Sequence, residues 1–229
     1  DIPNDLSNIT SPIIGYIGAL GKVLDQDLLC DLARQCSNFT IVLIGPEYTN
    51  IDKLKAEPNI IFLGAKPHEQ LPYYIKEFDV GIVPYLCNNF TEGVYPSKLN
   101  EYLAMGVPAV STNLREVRES KEVYGEVAII ANNTEEFIEA VKSSVVENNN
   151  TSSVDQRVKI AKENSWESRF KGISEIIREE IVSLEKQPVE INWKEGFKSY
   201  FNLRSKRRRL AFSTIFSLLV IFYSPLFWF

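Results

Sequence analysis

Between residues 13 and 146, short runs of continuous apolar residues alternate with stretches in which apolar residues recur every three or four positions. A run that is apolar at every position fits a strand buried on both faces. The wider spacing fits a helix with one buried face. The runs at 13–18 (IIGYIG), 39–45 (FTIVLIG), 59–64 (NIIFLG), 79–85 (DVGIVPY), 108–111 (PAVS) and 127–131 (VAIIA) are read as six strands. Helices are expected over 26–35, where Leu28, Leu29, Leu32 and Ala33 share a face, and over 51–55, 71–77, 97–105 and 134–146. Pro72 is tolerated in a first helical turn. Thr134 is a natural N-cap and Phe137 a core residue for the last of these helices.

Strand and helix repeating with short connections predict an α/β architecture: a doubly wound, Rossmann-like parallel sheet covered on both faces, over residues 12–185. Ligands in such folds meet the carboxyl ends of the strands, which singles out the loops after Gly18, Gly45, Gly64, Pro84 and Ser111. Two more helices are expected over 155–162 and 166–184. In the second, Trp166, Phe170, Ile173, Ile176 and Ile177 form a stripe expected to dock on the core.

The two ends read differently. Residues 1–11 open on DIPND without the features of a signal peptide, and are read as the remnant of a linker. Residues 186–209 are read as a second linker. Within it, 193–203 (WKEGFKSYFNL) gathers aromatics on one face, beside the basic run Arg204, Lys206, Arg207, Arg208 and Arg209, as an interfacial helix would. From 210 to 229 no residue is charged. That length spans about 30 Å as a helix, the thickness of a bilayer's apolar core. A single membrane-spanning segment is therefore expected there, with the α/β domain on the cytoplasmic side where the basic run belongs. A buried helix or an adhesive tail is the alternative.

A net charge of −5 argues against a general nucleic-acid binder, and anionic lipid accounts for the basic run more simply than nucleic acid does. Cys30, Cys36 and Cys87 are too few and too irregular for a disulfide framework. With His68 the only histidine and no Cys-x-x-Cys pair, no metal site or cofactor is expected. His68 and Lys22 are read as solvated surface residues.

The stretch 89–108 (NFTEGVYPSKLNEYLAMGVP) carries the candidate chemistry. Its helix is entered by Pro96, whose missing N–H is no loss there, and closed by Gly106. Leu99, Tyr102 and Leu103 fall on one face, and Lys98 and Glu101 on another. The amides of Ser97, Lys98 and Leu99 would lack intrahelical partners and carry the positive end of the helix dipole, so a diphosphate would be held well there. Lys98 would add a mobile cation, and Glu101 an acceptor for the two hydroxyls of a ribose. The bland alternative for that pair is a solvated ion pair worth a few tenths of a kcal/mol.

These motifs, taken in order, resemble the donor-binding half of the group 1 glycosyltransferases of GT-B fold, in particular those making bacterial surface polysaccharides of the teichuronic acid type. The residues carrying the resemblance are GYIG at 15–18, VLIGP at 42–46, NIIFLG at 59–64, FDVGIVP at 78–84, PSKL at 96–99 and EYLAMGVPAV at 101–110. The resemblance implies a retaining transferase moving a sugar from a nucleotide-diphosphate sugar, expected to be a UDP-sugar, to a glycan or lipid-linked acceptor at a membrane. It implies that Glu101 binds the ribose, and that Gly93, Val94, Tyr95, Ser97, Lys98 and Leu99 hold the donor's sugar and phosphates. Gly18 would admit the diphosphate, Ala65 and Lys66 would touch the base, and Lys98 would be the catalytic cation.

One departure stands out. The family's glutamate pair has seven intervening residues, whereas Glu92 and Glu101 are separated by eight, and Gly93 occupies the first glutamate's place. The role of Glu92 toward the sugar hydroxyls is open for that reason. Two other functions stay open beside the transferase: a non-catalytic nucleotide-sugar-binding or membrane-docked scaffold, and a UDP-sugar epimerase of the same fold.

Overall fold

The computed structural model describes residues 2–9, 12–147 and 151–186. The chain divides into two compact units, 1–173 and 174–229. The first holds the whole sheet, and of the second the described part is the end of one helix.

The strands are β1 (Ile13–Ile17), β2 (Thr40–Ile44), β3 (Ile60–Gly64), β4 (Val80–Val83), β5 (Ala109–Thr112) and β6 (Ile129–Ala131). The helices are α1 (Gln26–Gln35), α2 (Asp52–Lys55), α3 (Leu71–Ile75), α4 (Lys98–Ala104), α5 (Arg115–Tyr124), α6 (Thr134–Glu147), α7 (Thr151–Glu163) and α8 (Trp166–Lys186). All six strands are parallel, in the order β3-β2-β1-β4-β5-β6. The order reverses between β1 and β4, the switch point where a doubly wound sheet opens a crevice at its carboxyl edge. The expected parallel α/β sheet is thus present.

Burial explains the apolar runs. Every residue of β1 and β4 is buried, and α1 turns Leu28, Leu29, Leu32 and Ala33 inward beneath an Asp25 cap that accepts from the Leu28 amide. Two glycines make room for rings packed on the sheet. Gly15 and Gly81 lie side by side in register on β1 and β4. A Cβ on Gly15 would stand 2.0 Å from the Phe78 ring, and one on Gly81 would stand 2.4 Å from the Tyr102 ring. The two rings pack edge-on with centroids 6.4 Å apart, in the space the glycines leave. Tyr102 therefore reaches the sheet, where its Oη accepts from the Ile17 amide at 3.2 Å.

Several expectations are corrected. The span between β5 and β6, left without an element in the sequence, forms α5; only Leu114 just before it and Val117 within it are known anchors in the core. The α6 cap is Asn133 rather than Thr134. The Asn133 Oδ1 accepts from the Glu136 amide at 2.8 Å, and the Glu136 carboxylate accepts in return from the Asn132 amide at 2.9 Å. The apolar stripe of α8 is not docked: Trp166, Phe170, Ile173, Ile176 and Ile177 are all exposed. The spacing was right, but amphipathic spacing does not itself supply a surface to cover it. In the stretch read as a linker remnant, Leu6 is buried in the core. The interfacial helix expected over 193–203 and the membrane segment expected over 210–229 lie outside the described residues. Among the described residues, no helix is long and apolar enough to cross a membrane.

Candidate active site at the β1–β4 switch point

Strands β1, β2 and β3 run out at Gly18, Gly45 and Gly64, all with positive φ. The packing at the first two is close: a Cβ on Gly45 would stand 1.9 Å from the Gly18 carbonyl oxygen. Beyond β4, Thr91 is fully buried and donates from its hydroxyl to the Leu86 carbonyl, while accepting from the Asn88 amide at 3.0 Å. This closes the loop that ends in a single 3-10 turn at Thr91–Gly93 and delivers the chain to Pro96.

At the start of α4 the helix begins at Lys98, one residue later than expected. The Leu99 amide donates to the Pro96 carbonyl at 3.0 Å, so it is not available to a ligand. Among the described residues, the amides of Ser97 and Lys98 have no such partner. Leu99 itself is fully buried.

Lys98 differs most from expectation. It is not a mobile surface cation but is 8 % exposed, on the same buried side of α4 as Leu99, Tyr102 and Leu103. Its Nζ lies 4.5 Å from the centre of the Tyr16 ring and 4.6 Å from that of Tyr85. It donates to the Tyr85 hydroxyl and, at 3.5 Å, to that of Tyr16. Tyr16 passes the chain on by donating to the Ala19 carbonyl at 3.0 Å. Burial pushes the Lys98 ammonium below the ordinary lysine range, and Tyr85 and the Glu101 carboxylate push back. Burial likewise drives the Tyr16 phenol well above its ordinary value, so it stays neutral.

Gly18 stands directly in front of this ammonium: a Cβ there would be 3.1 Å from Nζ. Glu101 is half-buried, one turn along α4, and among the described residues its carboxylate makes no ion pair or hydrogen bond. Gly18 and Lys98 are thus brought together at the switch point, with Glu101 one turn along the same helix.

Other candidates are placed elsewhere. Glu92 and Gly93 are exposed in the preceding turn, and a side chain at Gly93 would meet nothing within 4 Å. Val94 is half-buried and packs against the core. The Tyr95 hydroxyl donates to Asn100 at 2.9 Å and accepts from the buried Asn164 at the α7–α8 junction, which ties the start of α4 to the helices behind it. Ala65 is exposed, but Lys66 is not free to meet a base: its Nζ pairs with Asp5 at 2.7 Å and lies over the Tyr74 ring. A hollow of about 170 Å³ beside Val127, Ser144 and Arg157 sits at the amino ends of β5 and β6, opposite to Lys98.

Sequence reasoning missed Tyr16 and Tyr85. The signal was there, since each is the polar-tipped aromatic near the carboxyl end of an otherwise apolar run. Their convergence, however, depends on β1 and β4 being neighbours.

The parallel sheet and its switch point define a doubly wound α/β domain of the GT-B kind. Solved structures share that fold: sucrose-phosphate synthase from Thermosynechococcus elongatus (TM-score 0.58, 15% identity, 76% of this chain and 46% of that one), and Anabaena HepE in complex with UDP (TM-score 0.61, 16% identity, 74% and 49%). The family model for glycosyl transferases group 1 matches residues 11–145, and this chain belongs to that family. It is 30% identical over 165 residues to the putative teichuronic acid biosynthesis glycosyltransferase TuaH of Bacillus subtilis, over 70% of this chain and 42% of that protein. The chain therefore spans less than half the length of this relative.

Proposed function

We propose that the chain is the donor-binding half of a retaining glycosyltransferase. It would take a nucleotide-diphosphate sugar, with UDP-sugar the first candidate, and serve transfer to a glycan or lipid-linked acceptor. The observation that carries this is the buried Lys98 ammonium held against Gly18 at the β1–β4 switch point, with the uncommitted Glu101 carboxylate one turn along the same helix.

The chemistry follows from where charge develops. As the glycosidic bond to the β-phosphate breaks, negative charge grows on the diphosphate. A fixed cation and oriented amides at that place stabilise the transition state more than the ground state. Lys98, with the amides of Ser97 and Lys98, supplies both. Glu101 accepts from the ribose hydroxyls and sets the nucleotide's register. The solved complexes of Anabaena HepE with UDP and with UDP-glucose support a donor of this class. The acceptor pocket belongs to a second half, in keeping with the share of TuaH that this chain spans. The uncharged stretch 210–229 behind its basic run would hold the domain at the cytoplasmic face of a membrane.

Calorimetry with UDP tests the site. Glu101→Ala should weaken binding roughly 10- to 100-fold, the worth of hydrogen bonds to a charged group. Equal affinity in the two proteins removes Glu101 from the site. Gly93, where the family places its first glutamate, favours a second reading as a nucleotide-sugar-binding module without turnover. Release of sugar from a UDP-sugar in the presence of acceptor, measured with an acceptor-binding half supplied, distinguishes the two.

A further inference from the structure

The ammonium of Lys98 is buried, yet no carboxylate pairs with it among the described residues. Two rings flank it, Tyr16 from β1 and Tyr85 from the end of β4, and the charge of Glu101 acts on it from α4 itself. A lysine normally loses several rotatable bonds' worth of freedom when it engages a ligand. Here that freedom is already gone, because two ring faces and two hydroxyls fix the side chain. Ring faces attract a cation without neutralising it, and the attraction grows where water is excluded. An aspartate in the same place would bind the ammonium better but would cancel the charge a diphosphate needs.

Direction matters as much as restraint. Nζ is held close against Gly18, where a Cβ would intrude to 3.1 Å. Tyr16 also donates to the Ala19 carbonyl at 3.0 Å, so the same phenol that restrains Lys98 fixes the loop after Gly18.

We propose that Tyr16 and Tyr85 are positioning residues that hold Lys98 in a single conformation with its Nζ against Gly18, presenting an un-neutralised cation to the donor's diphosphate. This rests on the donor-site reading above, and the two can fail separately.

The test is a pH titration of the lysine side-chain carbons by NMR on the whole chain, with and without UDP. Lys98 is assigned by its loss in Lys98→Met. In the wild type the Lys98 resonance should titrate below the other lysines, and UDP should move its midpoint upward. Tyr85→Phe should move the midpoint further down, because it removes the hydroxyl that accepts from the ammonium. It should also weaken UDP binding about threefold to tenfold at neutral pH. In a Lys98→Met background, Tyr85→Phe should add nothing to the loss of affinity. Tyr16→Phe should act in the same direction as Tyr85→Phe. A UDP response with an unmoved midpoint in both phenylalanine variants overturns the positioning role and leaves the donor site standing. A midpoint that moves in Tyr85→Phe but never responds to UDP overturns the donor reading, and the presentation of Lys98 with it.

Discussion

Single atoms decide whether this crevice can accept an anion. At Gly18 the backbone has a φ of 131°, which side chains rarely adopt, and the missing Cβ is what lets Nζ of Lys98 pack against the loop. Gly18→Ala should therefore cost about 1–3 kcal/mol of stability through backbone strain. It should weaken UDP binding besides; thermal denaturation and calorimetry on the same protein separate the two effects. Undiminished UDP affinity in that variant would mean the ligand does not approach over Gly18. Gly93 is the contrasting case. Its backbone is not left-handed and nothing would meet a side chain there. Gly93→Glu should leave stability within about 0.5 kcal/mol of the parent. A change in the affinity ratio of UDP-sugar to UDP then measures what the absent carboxylate would contribute.

At the level of elements, periodicity revealed most of what it could. The continuous runs IIGYIG and FTIVLIG mark strands because a sheet covered on both faces leaves no polar side. Helix α5 stayed hidden because its sequence, REVRESKEVY, offers only Val117 as a known core residue, so no apolar stripe rises above the charges. The stripe of α8 was legible as a pattern, while its exposure was not, since a sequence does not say whether a facing surface exists. The α6 cap was misplaced by one position because Asn133 and Thr134 are both capping types, and only the reciprocal bonding with Glu136 separates them. Asn133→Ala should accordingly cost about 1 kcal/mol, seen as a lower midpoint in urea with an unchanged slope. Thr134→Ala should cost much less.

For the molecule as a whole, strand order is what the chain's local chemistry could not announce. Lys98 and Glu101 were found because they share one short motif, whereas Tyr16 and Tyr85 meet only when β1 and β4 become neighbours. The amino-terminal segment is likewise tied in at a distance: Leu6 is buried, and Asp5 bonds both Lys66 and Tyr74. Burial pushes the Asp5 carboxyl upward, but the hydrogen bonds from Lys66 and Tyr74 outweigh it and hold it below its ordinary 3.8. An acid lowered on folding stabilises fully above its unfolded value, and that stability is lost as pH falls through the folded value. Asp5→Asn should lower the stability at pH 7 by under about 1 kcal/mol, given its partial exposure, and the melting temperature with it. The difference from the parent should vanish once Asp5 is protonated in both the folded and the unfolded state.

The thiols are arranged unequally. Cys30 and Cys36 are buried, and burial raises both above the usual thiol range, whereas Cys87 is exposed two positions beyond Tyr85. The thiolate is the reactive species, so a maleimide dye should attach at a single place in the native protein and at all three after denaturation. The chain thus carries a built-in labelling handle at the rim of the crevice, and fluorescence from it could follow nucleotide arrival with no engineered cysteine.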